Sequence, residues 1–302
     1  DAYRELGAAG EKPEFVGYGT LSCEARVVLI VREGVGVDAA DAGQTVEVVT
    51  TATPFYGEAG GQVGDQGTIT APGLKVIVTD TVKDPTGIII HKGEVEKGRL
   101  ETDQTVMLSV DSERRAAVAC NHTATHILHA ALRHVLGDHV KQAGSLVAPE
   151  RLRFDFTHFS HIDPEALERI EAFVNHRIRQ NVPVAMQEMG MDEAVESGAT
   201  ALFEEKYGDR VRVISLENFS RELCGGTHTD RTGNIGLFKI LSESSVASGV
   251  RRIEAVTGGA ALEEVQKNSR ILHQLGTLVK DKPDGLLQRV EAIMTQLKRS
   301  EK

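Results

Sequence analysis

Asn121-His122-Thr123-Ala124-Thr125-His126 is the stretch on which the reading of this 302-residue chain turns. It lies inside a run from Ser112 to Leu136 that carries Ala116, Ala117, Val118, Ala119, Ile127, Leu128, Ala130, Ala131 and Leu132, with neither glycine nor proline. Most of these residues form helix readily, so the run predicts one helix. Positions four apart lie one above the other on a helix, and His122 and His126 therefore present two imidazoles in one direction. That is half of a metal site. The other half has to come from elsewhere, and Cys224-Gly225-Gly226-Thr227-His228 offers a thiol and an imidazole at matching spacing.

Zinc favours nitrogen and thiolate ligands in a tetrahedron, which makes His122, His126, Cys224 and His228 a chemically sensible set. Gly225-Gly226 gives the second segment the freedom to bring sulfur and ring together. Each half is unspecific alone, because a chain with eleven histidines is expected to hold some pair four apart. His129 lies three residues beyond His126, near the same face, and stands either as a replacement ligand or as a neighbour supporting one. Cys120 points elsewhere and reads as a small core residue. Two familiar zinc chemistries are excluded. A zinc protease wants Glu beside the first histidine as its base, and Thr123 is there. A zinc finger wants paired Cys-x2-4-Cys knuckles, and the chain has none.

Around this stretch the pattern predicts an α+β fold. Residues 15 to 110 carry short alternating or β-branched runs at Ala25–Val31, Thr45–Thr51, Lys75–Asp80, Gly87–His91 and Thr105–Val110, with turns between them, which predicts a small N-terminal β-barrel over 1–109. Within it, the glycine-dense segment Thr53-Pro54-Phe55-Tyr56 to Asp65 is expected to be a loop whose backbone comes close to a partner, or a plain turn between strands. From 110 to 258 the texture changes to a two-layer α/β core, an antiparallel sheet with helices on one face. His139–Val147 and Arg151–Phe156 read as paired strands, and Asp163-Pro164 opens a second helix reaching about Gln180, with Asp163 as its cap. Val182–Glu188, Arg210–Leu216, Ile235–Ser242 and Val250–Val256 read as further strands, and Asp192–Ser197 as a short helix. From 259 to 302 follows a helical tail, broken at Lys282-Pro283-Asp284-Gly285, whose Leu262, Val265, Leu272 and Leu275, then Leu286, Val290, Ile293 and Leu297, form apolar faces in want of a partner.

Composition adds boundaries. A net charge of −10 argues against wholesale electrostatic wrapping of nucleic acid while leaving room for a local basic patch. Three cysteines form a sparse, odd set that suits a reducing cytoplasm. No stretch reads as a membrane span or a secretory leader. A start at Asp1 and an end inside a helical pattern lead to the expectation of a piece excised from a longer polypeptide.

Taken together, His122-Thr-Ala-Thr-His126, Gln142-Ala-Gly-Ser-Leu-Val147, Glu222-Leu-Cys-Gly-Gly-Thr-His228 and Gly249-Val-Arg-Arg-Ile-Glu-Ala255 resemble the editing region of bacterial alanyl-tRNA synthetase. The loop Thr53-Pro-Phe-Tyr to Gly60-Gly-Gln-Val-Gly-Asp65 belongs to the same resemblance, which also extends to free-standing alanyl-tRNA editing proteins and to the editing domain of threonyl-tRNA synthetase. Nothing in the chain is similar to the ATP-binding aminoacylation core. The resemblance implies an aminoacyl-tRNA deacylase that hydrolyses serine or glycine wrongly esterified to alanine tRNA. It implies zinc on His122, His126, Cys224 and His228, an amino-acid pocket lined by Thr125 and Gln142, and tRNA contacts from Gly60, Gly61 and Gln62. By their charge, Arg251 and Arg252, with Arg210 and Arg212, are candidates for tRNA backbone phosphates or else a solvated strand face. Its implied partners are the tRNA acceptor end, the remaining synthetase domains and, through the C-terminal region, another subunit. Two alternatives stay open: a non-catalytic, zinc-stapled tRNA-binding module, and a free-standing editing protein.

Overall fold

Six strands between Ser22 and Val110 close on themselves. In this computed structural model, which describes Tyr3, Leu6 and residues 13–200, 210–217 and 219–300, the sheet runs Thr105–Val110, Gly67–Ala71, Leu74–Lys83, Ile89–Lys97, Thr45–Thr50 and Ser22–Arg32. Ser22–Arg32 then returns to pair with Thr105–Val110, which closes the barrel. Closure leaves these strands without a free edge, and the alternating residues Val46, Val48, Val76, Val78, Val106 and Leu108 fill the interior. The hairpin Leu74–Lys83/Ile89–Lys97 is longer than the sequence pattern suggests. Its turn is fixed by Asp84, whose Oδ1 accepts from the backbone N–H of Thr86 and Ile88 at 2.9 and 2.8 Å.

A histidine is sealed in this half. His91 is 1% exposed, with Nδ1 2.9 Å from the Val48 carbonyl and Nε2 2.7 Å from Thr53 Oγ1. A carbonyl only accepts, so Nδ1 carries the proton and Nε2 takes the Thr53 hydroxyl hydrogen. Thr53 Oγ1 in turn accepts from the Phe55 N–H at 3.0 Å, so the ring pins the start of the glycine-dense loop.

The helix Ser112–Leu136 follows the barrel directly. Asp111 caps it, its Oδ1 accepting from Arg114 N at 3.0 Å. A second helix, Pro164–Arg179, is capped by Asp163 and packs against the first. Both lie on a four-stranded antiparallel sheet ordered Gln142–Val147, Leu152–Thr157, Val250–Thr257, Phe238–Ala247. Alternate residues of a strand share a face, and Leu152, Phe154 and Phe156 with Ile253 and Ala255 turn toward the helices into one core.

The expectation of a single sheet is corrected here. Ala185–Gly190, Arg210–Leu216 and Ser220–Leu223 form a separate three-stranded sheet. Ser220–Leu223 escapes sequence reading because four residues with two charges show no alternating pattern; pairing with Arg210–Leu216 makes it a strand. The expected strand Ile235–Ser242 begins only at Phe238, because Thr232–Ile235 winds into a 3-10 turn that ends at Gly236 with φ of 74°. Two helices, Gly258–Val279 and Leu286–Ser300, complete the chain, with Leu272, Leu275, Val290 and Leu297 exposed. Among the described residues no helix is long and apolar enough to cross a membrane.

Barrel and core are joined by a buried ion pair. Arg115, in the first turns of the helix, directs Nε at 3.0 Å to both Asp65 oxygens, Nη1 at 2.8 Å to the Gly17 carbonyl and Nη2 at 2.8 Å to the Pro54 carbonyl. Asp65 Oδ2 also accepts from Tyr56 N at 2.6 Å. Removing one partner of such a pair strands the other charge in the interior. Arg115→Ala is therefore expected to lower the unfolding free energy by about 3–5 kcal/mol, measured by urea titration at pH 7.

His91 gives a second expectation. Burial pushes its pKa down to about 4 from 6.5, against the pull of the Val48 hydrogen bond. The folded chain thus resists a proton that the unfolded chain accepts, so this stability is whole above pH 6.5 and is lost as pH falls from 6.5 toward 4. The full loss is roughly 3 kcal/mol. Urea titrations across that window are expected to show the slope in the wild type and a flatter one in His91→Gln.

Candidate metal centre

The central helix is buried on most of its circumference, which is what allows it to carry histidines inside the protein. One side, with Ala124, Ile127, Leu128 and Ala131, belongs to the core of the sheet. Asn121 locks the helix to the turn after Val147, its Nδ2 donating to the Ala148 carbonyl at 2.7 Å while its Oδ1 accepts from Thr257 Oγ1 at 2.8 Å. Another side presents His122 and His126, 7% and 3% exposed, to the segment that follows Ser220–Leu223.

There the two halves meet. One ligand atom each from His122, His126, Cys224 and His228 lies within 4.8 Å of all the others. Cys224 Sγ is 3.4 Å from His122 Nε2 and 3.3 Å from His228 Nε2. With bonds of about 2.0–2.1 Å to nitrogen and 2.3 Å to sulfur, a tetrahedral zinc spaces its sulfur and nitrogen ligands by about 3.5 Å. The observed separations fit that geometry. A Cβ on Gly226 would fall 2.0 Å from His122 Cε1, so only glycine lets the loop lie this close to the ring.

The opposite edge of each ring is tied down. His122 Nδ1 is 2.7 Å from Gln62 Oε1, His228 Nδ1 is 3.2 Å from Thr123 Oγ1, and His126 Nδ1 bonds Glu222 Oε2. Glu222 also holds His129 Nδ1, at 2.8 Å through Oε1. Each Nε2 is thereby left facing the centre, and His126 Nε2, fully buried, has no hydrogen-bond partner. An orphaned imidazole nitrogen aimed at a thiol and two further imidazole nitrogens is the donor set that zinc requires. His129 does not join the cluster; its part is to share Glu222.

The cluster carries charge: burial opposes protonation of His126, but Glu222 and Cys224 outweigh it and push its pKa up to about 10. Burial opposes ionisation of Cys224, but His122 and His228 outweigh it, and the thiol is held well below its ordinary value. The Gly226 N–H, 3.4 Å from Sγ, further supports a thiolate. Burial likewise opposes charge on Glu222, yet the neighbouring His126 pulls its carboxyl down to about 2. His228, penalised by burial and by His122, is lowered to about 3 and stays neutral, as a ligand must.

Other residues singled out in the sequence are placed differently. Thr125 is buried and donates its hydroxyl hydrogen to the Asn121 carbonyl at 2.9 Å. Gln142 is half-buried opposite Phe156, and directly opposed residues share a face, which puts it on the helix side of the sheet. Of the residues set against tRNA by resemblance, Gly60 alone is exposed. Gly61, at φ of 84°, packs so closely on Ser145 that a Cβ would lie 2.4 Å from its carbonyl oxygen, and Gln62 is 0% exposed. The close partner of the glycine-dense loop is therefore this chain's own sheet. Arg252 makes a two-pronged pair with Asp155 at 2.7 Å and Arg251 a pair with Glu243. Arg212 stacks 3.9 Å above the Tyr18 ring and donates to the Gly226 carbonyl. Sequence reading missed Gln62, Glu222 and Thr123 as supports of the rings. For Glu222 a signal existed, since alternation puts it on the same side of its strand as Cys224.

Comparison with known families places the chain among the tRNA synthetases. Residues 1–114 match the family described as tRNA synthetases class II (A), and residues 211–254 match the threonyl and alanyl tRNA synthetase second additional domain. The chain is 58% identical to the alanine–tRNA ligase of Desulfosudis oleivorans over 98% of its own length and 34% of that protein. It is 48% identical to that of Acetivibrio thermocellus over 100% of itself and 34% of that protein, and 46% to that of Bacillus mycoides over 98% and 34%. The chain belongs to the alanyl-tRNA synthetase family, and it spans about a third of the length of the curated relatives it matches.

Zinc at 100 times its dissociation constant is expected to raise the unfolding free energy by about 2.7 kcal/mol, and Cys224→Ala to abolish that gain. Urea titrations with and without the ion measure both.

Proposed function

We propose that this chain is an editing hydrolase, which cleaves the ester between alanine tRNA and a wrongly attached serine or glycine. The observation that carries the reading is the convergence of His122, His126, Cys224 and His228 on one point, with every Nδ1 engaged from behind. Kinship with alanine–tRNA ligases supplies the substrate class. A pocket made for alanine cannot exclude the smaller glycine sterically and rejects an added hydroxyl weakly, so a second, hydrolytic selection is needed.

His122, His126, Cys224 and His228 would hold zinc. Bound by four protein ligands, zinc supplies a fixed positive charge that organises the pocket. The chain's own residues do the recognition. The hydroxyl hydrogen of Thr125 is committed to Asn121, so its oxygen can only accept, and it is matched to a serine hydroxyl or a substrate ammonium. Gln142, on the helix face of the sheet, adds an amide able both to donate and to accept. Hydrolysis adds water across the ester: the bond from carbonyl carbon to ribose oxygen breaks, and the released oxygen takes a proton. In this reading the barrel of 1–109 and the core of 110–258 act as one unit, since Arg115 and Gln62 span them. The tail of 259–302 offers its apolar face to further synthetase domains or another subunit. The setting is the cytoplasm.

The closed ligand set also favours a second reading, a tRNA-binding module that zinc merely staples. One assay separates them. Serine-charged alanine tRNA incubated with the chain is expected to release serine well above the buffer rate, and Cys224→Ala to lose that release. A zinc-loaded wild type with no release above buffer sides with the stapled module.

A further inference from the structure

The tip of the loop Thr53–Asp65 is folded inward. The Gly61 carbonyl accepts from Val147 N at 2.7 Å, and Val63 N donates to the Val147 carbonyl at 3.1 Å. These two bonds lay the loop along the edge strand Gln142–Val147 and drive the next side chain, Gln62, into the interior between the central helix and the Cys224–His228 loop.

Which end of that carboxamide faces which group is settled by the backbone. Thr227 N–H lies 2.9 Å from Gln62 Oε1, and an N–H can only donate, so this end is the oxygen. The other end, Nε2, donates to Thr227 Oγ1 at 2.9 Å. The same Oε1 is 2.7 Å from His122 Nδ1. An oxygen acceptor there requires His122 Nδ1 to carry the proton and leaves Nε2 bare, on the side where Cys224 Sγ lies 3.4 Å away. The outer partner of a ligating imidazole fixes its tautomer and its orientation. Gln62 also grips Thr227, the residue before His228. A single barrel side chain thus restrains one ring on the helix and the loop that brings the other two donors.

We propose that Gln62 is a positioning residue of the metal centre, through which the barrel sets the tautomer of His122 and the tightness of metal binding. The proposal rests on the reading of this centre as a zinc site.

Two measurements on the whole chain test it. Zinc affinity is read by competition with a chromophoric chelator for the wild type, Gln62→Glu and Gln62→Met. Glutamate keeps an oxygen acceptor for His122 Nδ1 and Thr227 N, and methionine keeps the length without one. Gln62→Met is expected to bind zinc roughly 10–100-fold more weakly, and Gln62→Glu to stay within about threefold of wild type. A Gln62→Met chain that binds as tightly as the wild type overturns the proposal, as does equal weakening by both variants. The second measurement needs no variant. Long-range proton–nitrogen correlations on the metal-free wild type at pH 8 are expected to show His122 with its proton on Nδ1, and a proton on Nε2 overturns the proposal. A wild type that takes up no zinc while showing the Nδ1 tautomer refutes the zinc site and the affinity half of the proposal with it, leaving the Gln62–His122 contact standing.

Discussion

Three imidazoles, a thiol and a carboxylate are packed together in a largely buried cluster, and everything around them is arranged to make that tolerable. A buried polar atom without a partner costs free energy comparable to a lost hydrogen bond or more. Gln62, Thr123 and Glu222 meet that demand on the Nδ1 side of the rings. On the Nε2 side the thiol is placed against two nitrogens, and the third, His126 Nε2, has no hydrogen-bond partner. The four side chains form a donor set of the kind that can hold a metal ion.

This constraint reaches well beyond the four donors. Glu222 serves His126 and His129 together, so the second, three-stranded sheet is tied to the helix by its last strand. Arg212, from the neighbouring strand, closes over the loop from outside through its stack on Tyr18 and its bond to the Gly226 carbonyl. Tyr18 itself donates to the Gly225 carbonyl, which brings the segment leading into the barrel to the same place. Gly226 is needed for this crowding, since a side chain there would occupy the space of the His122 ring.

The barrel is bound into the same arrangement. Asp65 and Arg115 are both nearly inaccessible, and the guanidinium also holds the carbonyls of Gly17 and Pro54, so the loop's two ends and the helix's first turns are one hydrogen-bonded unit. Four and two residues before Asp65 in the same loop, the backbone of Gly61 and Val63 pairs with the edge strand. These contacts tie the loop to the sheet, on which Arg251 and Arg252 are paired with Glu243 and Asp155.

What the sequence determined by itself is whatever depends on neighbours in the chain. The central helix follows from helix formers without a break, its cap from Asp111, the second helix from Asp163-Pro164, and the pairing of two imidazoles from a spacing of four. Alternation located most barrel strands, and the Cys-x3-His segment was legible as the other half of a metal site. Only the tertiary structure decided which groups stand behind the rings and where the glycine-dense loop goes. Gln62 is 60 residues from His122 and 165 from Thr227, and no periodicity links positions so far apart. The same holds for Arg251 and Arg252, which look like free cations in the chain and become ion-pair partners once the strands align. Helix and strand patterns encode which way a side chain faces, but not what it will face, because that is set by how separate elements pack.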